Sequence, residues 1–506
     1  MPNYRRIGII DIGSNSIRLV IYEINPLDAY RVIREFKQSA RLSQRIGPDN
    51  ILHAVDIQVI IGILNQFKRM CEDNGVTEIR AAATAAIRNA ANTRHIIESL
   101  QQHTGIRVEV LSGEDEAKVG FLGMLNSLDV QDGILIDIGG GSTEVTVFRG
   151  RERLKSVSFP FGAVNTARRY SSSGDFTPEQ LQSIREMVLQ AVDGQPWMKQ
   201  HQGLPLIGMG GTIRTLGKIG QKKWEYSLPI THNYVISPSR MDELIRWLAA
   251  LPLAKRKKVD GLAKDRCDII VPGMVILDTL FHVTGCSHYV VSGAGLRDGL
   301  FHESYLANRP EATTLLERSV NNLLGLHSTA PAAHLESVAR HALALFDALR
   351  AVHGYDDRMR QCLCAAARLY RIGVAVNYYQ FSKHSYYMIA HSRVDGLSHR
   401  ETLLCAAIAS FKSKNRAQSV YAQHKDILHD SDVALITKLG VLLQLATALD
   451  ISETQTVTGV TASAQPTHLD IRIQTKNDLS PELAELESLQ KEFNKIWGLQ
   501  LHIHSS

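Results

Sequence analysis

The sequence lacks the features that mark secreted, zinc-knuckle or membrane proteins. Its six cysteines, at positions 71, 267, 286, 362, 364 and 405, form no Cys-x-x-Cys pair, which argues against a zinc knuckle and suits a reducing compartment. No stretch reaches the roughly 18 consecutive apolar residues of a transmembrane helix. The first residues pass into a strand pattern that contains Asp11, not into the apolar core of a signal peptide. We therefore expect a cytoplasmic protein without a membrane partner.

The chain also lacks a strong excess of one charge. Its 56 Lys and Arg residues against 51 Asp and Glu residues give a formal net charge of +5. This small excess does not indicate a nucleic-acid partner, although it is compatible with a polyanionic ligand. The length of 506 residues, with 44% hydrophobic and 21% charged residues, is typical of a globular protein of roughly three to four domains.

The most informative stretch is ILIDIGGGSTEVTVF, residues 134–148. Its two ends have the β-branched and aromatic content of strands, and three glycines, including Gly140 and Gly141, predict the turn between them. A turn without Cβ atoms lets backbone N–H groups approach an anion, and the next two residues, Ser142 and Thr143, add hydroxyl groups. The stretch therefore predicts a phosphate cradle flanked by acidic residues.

The same pattern occurs near the start of the chain. A shift of 126 positions lays GIIDIGSNSIRLVIYEI over the later stretch, so that Asp11 matches Asp137 and Ser16 matches Ser142. An internal repeat of strand, Asp-x-Gly turn and strand is a stronger signal than either copy alone. It predicts two hairpins that face each other across a cleft, with Ser14, Asn15 and Ser16 as phosphate ligands from the first turn.

Two such hairpins resemble the phosphate loops of the actin, Hsp70 and sugar-kinase superfamily. Together, the motifs DIGSNSIRL, SGEDEA and DIGGGSTE resemble the exopolyphosphatase and guanosine pentaphosphate phosphohydrolase (Ppx/GppA) family, a combination that kinase members do not normally carry. The resemblance continues through ATAAIRNA, GMGGTIRTL, RCDIIVPG and SGAGLRDGL, up to about residue 305. It implies an α/β fold with two actin-like, ribonuclease H-like domains, which we place at residues 1–127 and 128–307.

Beyond these domains the strand signals stop. From Leu315 to about Ile451 the pattern is helical, and it resembles the HD-like third domain of long Ppx/GppA proteins, which we place at residues 312–452. A small α+β module is expected at residues 453–506. The HD metal motif is degenerate, because Tyr370-Arg371 stands in place of the His-Asp pair and Thr447 in place of an aspartate. We interpret the remaining histidines as packing or polyphosphate-facing residues, and do not predict HD chemistry; they are His341, His384 and His391.

Further candidate phosphate ligands lie in four of the matching segments. Gly211 and Thr212 follow a predicted strand and open a helix, where free backbone N–H groups bind anions. Arg88 follows another strand; from spacing alone it is equally well a solvated helix residue, and the resemblance favours a phosphate contact. Arg266, with Arg297 as an alternative, is a candidate for the terminal phosphate. The basic run at residues 255–258 is interpreted as a solvated face.

The candidate general base is Glu116, at the start of a predicted helix. Ser112 and Asp115 have capping-box spacing, so Glu114 and Asp115 have a structural explanation in the first helical turn. Glu116 resembles the glutamate that activates water in the family, and this role requires a raised pKa. The predicted metal ligands are Asp11, Asp137 and Glu144, which would hold Mg²⁺ or another divalent cation, with K⁺ as a further candidate ion.

The sequence thus predicts an exopolyphosphatase that releases orthophosphate processively from inorganic polyphosphate, with the helical half forming a basic channel. Three alternatives stay open. The first is hydrolysis of pppGpp to ppGpp, which Arg18 beside the first loop would favour. The second is an actin-like kinase, and the third is a non-catalytic binding module. The resemblance also implies a homodimer.

Overall fold

The structure is a computed structural model that describes residues 4–46, 49–307, 313–327, 330–475 and 477–505. Within it the chain divides into two units, Met1–Ala312 and Thr313–Ser506. The predicted change of domain at residues 308–312 lies outside the described residues. The finer division into four domains stays a prediction.

Strands and helices alternate in the first unit, as predicted. Its strands are β1 (Arg5–Ile12), β2 (Ser16–Ile24), β3 (Tyr30–Ser39), β4 (Glu78–Ala83), β5 (Val108–Val110), β6 (Gly133–Ile138), β7 (Thr143–Arg149), β8 (Glu152–Phe159), β9 (Leu206–Met209), β10 (Val235–Ile236) and β11 (Tyr289–Val291). Its helices are α1 (Leu42–Arg45), α2 (Ala54–Asp73), α3 (Ala85–Arg88), α4 (Thr93–Thr104), α5 (Gly113–Leu125), α6 (Ala163–Tyr170), α7 (Pro178–Asp193), α8 (Gly210–Lys223), α9 (Pro238–Ala250), α10 (Leu253–Arg256), α11 (Ile270–Thr284) and α12 (Leu296–Leu306).

The sequence repeat is also a repeat of topology. One sheet has the order β3-β2-β1-β4-β5 and the other β10-β11-β9-β6-β7-β8. In each sheet, the strand that carries the aspartate is antiparallel to its hairpin partner and parallel to its other neighbour. These strands are β1, between β2 and β4, and β6, between β7 and β9. The residues opposite the two aspartates differ: Asp11 faces Arg18, whereas Asp137 faces Glu144. The copies therefore share a backbone plan but not a charge pattern.

Buried apolar side chains hold each hairpin in place. In β1, Ile10 and Ile12 lie in a fully buried cluster with Ile57 and Leu64 of α2, whose apolar residues recur at helical spacing. On the opposite side of the strand, Ile7 and Ile9 pack in a cluster that includes Phe301 of α12. With both faces of β1 buried, the carboxylate at its C-terminal end is held on a rigid strand.

Helices α5 and α12 approach each other at two glycines. A Cβ atom at Gly299 would overlap the backbone oxygen of Val119, and one at Gly123 would overlap the backbone oxygen of Gly295. The two helices thus meet backbone to backbone. This contact sets the distance between α5, which carries Glu116, and α12, which carries Arg297.

We expect Gly299→Ala to destabilise the protein by about 1–3 kcal/mol or more, because the added methyl group must force these helices apart. The matched control is Gly62→Ala in α2, where nothing lies within 4 Å of the added Cβ. That exchange should stabilise the protein by about 0.4–1 kcal/mol, because alanine lowers the conformational entropy of the unfolded chain. Urea unfolding of both variants measures the difference, and a wild-type midpoint for Gly299→Ala would contradict the backbone contact.

The second unit is helical up to residue 448 and then forms a small sheet. Its helices are α13 (Leu315–Leu326), α14 (Ala332–Ala348), α15 (Arg350–His353), α16 (Asp357–Leu369), α17 (Phe381–His391), α18 (His399–Ala409), α19 (Lys414–Gln423) and α20 (Asp432–Ala448). The sheet has the order β12-β13-β14, from β12 (Val457–Ala464), β13 (His468–Thr475) and, after α21 (Ser480–Trp497), β14 (Gln500–Ser505). The predicted helical region and α+β tail are confirmed. Within the described ranges, no helix has both the length and the apolar character needed to cross a bilayer.

Candidate active site

One cleft in the first unit gathers most of the predicted site residues. Its walls come from the β1–β2 turn, the β6–β7 turn and the first residues of α5, α8 and α12. The predicted residues that line it are Asp11, Ser14, Asn15, Ser16, Glu116, Asp137, Gly140, Gly141, Ser142, Gly211 and Arg266. Four others lie outside the lining: Arg88, Thr143, Glu144 and Thr212.

The two hairpin turns approach each other closely, which explains the glycine run. A Cβ atom at Gly140 would lie 2.9 Å from Ser14 Cβ, and one at Gly141 would lie 2.9 Å from Ser14 Oγ. Side chains at these positions would push the turns apart. The glycines therefore permit contact between the hairpins as well as exposure of backbone N–H groups to an anion.

The third loop forms where β9 meets α8. Gly210 adopts a φ of 81°, in the left-handed region, and a Cβ atom there would lie 2.5 Å from Asp137 Oδ1. A side chain at Gly211 would overlap the Arg266 guanidinium. The N-terminus of α8, where free backbone N–H groups can bind an anion, thus lies directly against one acidic and one basic residue of the cleft.

The two predicted threonines use other contacts. Thr143 is fully buried, and its hydroxyl donates to the Phe161 carbonyl at 2.7 Å. Thr212 is 1% exposed, and its hydroxyl lies beside Gly273 of α11. Both side chains support the loops from behind, so their phosphate contacts stay predictions.

Four arginines line the cleft: Arg18, Arg214, Arg266 and Arg297. Burial, followed by repulsion from Arg297 and Arg18, lowers the pKa of Arg214 to about 10, so its guanidinium is still charged at neutral pH. Burial and then Arg297 likewise lower the pKa of Arg18. These buried guanidinium groups repel one another, and an anion bound between them would relieve that repulsion. The cleft is therefore complementary to a multiply charged anion.

Sequence reasoning missed Arg214. The residue stands four positions after Gly210, in the motif GMGGTIRTL, and so lies one helical turn beyond the loop on the same side of α8. This spacing was the signal that could have identified it. Arg18, considered only as a nucleotide ligand, belongs to the same cationic set.

Asp11 and Asp137 form the acidic side of the cleft. Burial raises the pKa of Asp11, against the lowering effect of Arg297 and Arg18. Burial raises the pKa of Asp137 to about 6; Arg214 opposes this effect and Asp11 adds to it. A divalent cation would relieve this repulsion, and carboxylate oxygens are the ligands that Mg²⁺ prefers. The three-residue metal groups among the described residues do not include these acids.

Glu144 lies one layer behind these acids. It is 3% exposed, and its Oε1 accepts from Ser158 Oγ at 2.7 Å. Its Oε2 is buried without a hydrogen-bond partner among the described residues. Burial and then the neighbouring Glu116 and Asp137 raise the pKa of Glu144 well above its ordinary value. Direct metal ligation by Glu144 therefore stays a prediction.

Glu116 stands in the first turn of α5. The predicted cap is confirmed, because the Asp115 N–H donates to Ser112 Oγ at 3.0 Å. Glu116 Oε2 accepts from Arg88 Nη1 at 2.8 Å, and the same nitrogen donates to the Leu111 carbonyl at 2.9 Å. Arg88 is thus connected to the site by its ion pair with Glu116. Its contact with phosphate stays a prediction.

The electrostatics of Glu116 suit a base that works near neutral pH. Burial raises its pKa to about 7, Arg88 opposes the rise, and Asp137 and Asp11 add to it. By contrast, the Glu114 side chain is 75% exposed and lies 3.4 Å from Arg153. A buried carboxylate with a raised pKa, beside paired acids and four arginines, can activate a water against a phosphate group.

Comparison with known proteins decides the family. A sequence model of the Ppx/GppA phosphatase family matches residues 20–308, more than half of the chain. The chain belongs to the Ppx/GppA phosphatase family. A second model, for domain III of Ppx/GppA phosphatases, matches residues 316–492, so both units have counterparts in the family. Membership in this family makes the protein a phosphatase, and hence a hydrolase.

Solved structures of the family agree with the fold. A Ppx/GppA member from Aquifex aeolicus is 25% identical, with a TM-score of 0.53; the match covers 61% of this chain and 100% of that one. An exopolyphosphatase from Cytophaga hutchinsonii is 22% identical, with a TM-score of 0.55, over 60% of this chain and 98% of that one. At this identity the second likeness supports the fold alone.

The predicted HD-like region in the second unit contains a different polar cluster. The buried His334 lies 2.9 Å, through Nδ1, from Asp450 Oδ2 and 2.6 Å, through Nε2, from the Tyr370 hydroxyl. Thr447, predicted to stand in place of an aspartate, donates its hydroxyl to the Leu443 carbonyl of its own helix, and its correspondence to that aspartate stays a prediction. The acid that meets a histidine is Asp450, three residues later.

Proposed function

We propose that the protein is an exopolyphosphatase that hydrolyses the terminal phosphoanhydride of inorganic polyphosphate and releases orthophosphate. The observation that carries this proposal is the composition of the cleft. Four arginines, paired aspartates and a candidate base converge there, while no aromatic side chain appears among the described residues of its lining. Such a lining suits a substrate composed of phosphates better than one with a purine ring, for which an aromatic face is a usual partner.

The residues divide the reaction between them. The terminal phosphate lies between the two hairpin turns, held by their backbone N–H groups and by Ser14 and Ser142. Water attacks the terminal phosphorus, the bridging P–O bond breaks, and the shortened chain leaves with that oxygen. Glu116 takes the proton of the attacking water, and the arginines stabilise the charge on the phosphoryl oxygens. A divalent cation held by Asp11 and Asp137 would supply further neutralisation of that charge.

Hydrolysis of pppGpp to ppGpp is the second candidate. One observation favours it: Arg18 lies in the cleft, with its side chain 17% exposed, and the plane of a guanidinium can stack on a guanine base. The chemistry at the terminal phosphate is the same in both candidates. They differ in what the cleft recognises beyond it.

The deciding experiment measures phosphate release from long-chain polyphosphate and from pppGpp, side by side, with Mg²⁺ and with K⁺ present or absent. We expect polyphosphate to have the higher kcat/KM by at least about tenfold, equivalent to roughly 1.4 kcal/mol of transition-state binding. A preference for pppGpp would leave the proposed mechanism unchanged and identify pppGpp, not polyphosphate, as the substrate. No release from either would favour the kinase or binding-module interpretation.

Removal of metal with EDTA should abolish release, and Mg²⁺ should restore it.

The other expectations for this protein stay proposals. They are a cytoplasmic location, a homodimer and a role for the helical half in binding the polyphosphate chain. Size-exclusion chromatography with light scattering tests the dimer directly.

A further inference from the structure

Three histidines and an aspartate share one face of the small C-terminal sheet. His468 and Asp470 lie on β13, and His502 and His504 lie on β14. The strands run parallel, with Asp470 opposite His502. Side chains two positions apart on a strand project from the same face, so the four groups form a single cluster across the two strands.

Packing does not account for these residues. The alternate positions Leu469, Ile471 and Leu501 are at most 1% exposed and form the buried face of the sheet. On the other face, the His502 and His504 side chains are 49% and 59% exposed. The sheet would keep its core with any polar residue at the four positions. The His468 and His502 rings stack, with centroids 4.6 Å apart, but this contact involves only two of the four residues.

The ligating atoms converge on the Asp470 carboxylate. Its Oδ2 lies 3.2 Å from His468 Nε2, and its Oδ1 lies 3.5 Å from His502 Nδ1 and 3.3 Å from His504 Nε2. One ligating atom from each of His468, Asp470 and His502 lies within 4.8 Å of the others. With metal–ligand bonds of about 2.0–2.2 Å, the ligand atoms of a tetrahedral zinc site are roughly 3.3 Å apart. The separations from the carboxylate already have this value.

An electrostatic contact alone is a weak explanation for the cluster. Exposed ion pairs contribute about 0–1 kcal/mol, and one carboxylate does not need three imidazoles. Imidazole with carboxylate is, however, a usual ligand set for zinc, and it suits Zn²⁺, Cu²⁺ or Ni²⁺ better than Mg²⁺. Arg472 lies opposite His504 in the register, and its side chain is exposed, so its charge can extend into solvent away from a bound ion.

We propose that His468, Asp470 and His502 form a zinc site that links β14 to β13, with His504 beside the Asp470 carboxylate. The site belongs to the second unit. Its ligands come from sequence positions on either side of α21, so the bound ion closes the strand–helix–strand segment into a loop. Zinc therefore stabilises this strand–helix–strand segment.

The test titrates Zn²⁺ into zinc-free full-length protein in competition with a chromophoric chelator, with excess Mg²⁺ present to occupy the proposed cation site at Asp11 and Asp137. We expect one site with a dissociation constant in the micromolar range or tighter. The variant His502→Gln/His504→Gln should lose it. The matched control is His282→Gln, which removes the imidazole from the other potential metal group of the described residues, Asp242, Asp278 and His282; this control should keep the site.

Two further measurements separate ligation from loss of fold. Co²⁺ in place of Zn²⁺ should give the visible d–d absorption of a tetrahedral N/O site in wild type and not in the double variant. Without metal, both proteins should unfold at the same temperature, and Zn²⁺ should raise the midpoint of wild type only. Undiminished zinc binding by the double variant, or none by wild type, would overturn the proposal.

Discussion

Exchange of Glu116 for glutamine is expected to lower kcat for phosphate release by about 10²–10⁴-fold, the usual contribution of a general base. Glutamine keeps the size of the side chain and can still accept from Arg88, but it cannot take a proton from water. Substrate binding should persist, because the hairpin turns and the arginines are unchanged. The loss should therefore appear in kcat, with KM altered little.

The same residue sets the pH dependence. Only the carboxylate form of a base is active, and the pKa of Glu116 is raised to about 7, by burial first of all. In wild type, kcat/KM, which reports the ionisation of the free enzyme, should therefore rise as pH increases through about 7 and level off above it. In Glu116→Gln this rise should disappear.

The matched control for this variant is Glu114→Gln, the same chemical change two residues earlier on the exposed face of α5. We expect it to keep wild-type kcat and pH dependence. A steady-state pH profile of all three proteins, with polyphosphate and Mg²⁺, makes the comparison. If Glu116→Gln kept full activity, another group would have to be the base.

Exchange of Arg214 for methionine is the second change with a large expected effect. Arg214 lines the cleft, and its Nη1 donates to the Gly293 carbonyl at 3.2 Å. Removal of a pre-positioned charge-stabilising donor costs about 10²–10³-fold in rate. We expect a fall of that size in kcat/KM, since methionine fills the space but supplies neither charge nor hydrogen bonds.

The control for charge and helix position is Lys218→Met, one turn further along α8, where the side chain is exposed. It removes the same formal charge at a distance from the cleft and should leave kcat/KM within about twofold of wild type, as expected for exposed charges. Thermal unfolding of both variants identifies any loss of fold. Equal activity of Arg214→Met and wild type would exclude Arg214 from charge stabilisation.

The sequence was sufficient to predict the two hairpins and their aspartates. Both depend on local chemistry: strand patterns end at glycine turns, and the repeat places Asp11 and Asp137 at equivalent positions. The capping of α5 by Ser112 was predictable for the same reason. These features need no knowledge of which segments meet in space.

Features that depend on distant segments were not predictable. The ion pair between Arg88 and Glu116 joins different helices, and only the folded chain shows that Arg88 is held away from the cleft lining. Thr143 was expected in the cradle because of its neighbours, but its hydroxyl meets Phe161 across the sheet. Asp450 finds His334 at a separation of 116 positions, a contact that no local pattern specifies.

The unequal residues opposite the two repeated aspartates make the duplicated site asymmetric. A perfect duplication would yield a cradle with two equivalent sides. Here Arg18 stands opposite Asp11 and Glu144 opposite Asp137. One half of the cradle thus has a basic neighbour, while the other has an acidic one next to Glu116. The repeated backbone therefore carries an asymmetric distribution of charge, and the candidate base lies beside the acidic half.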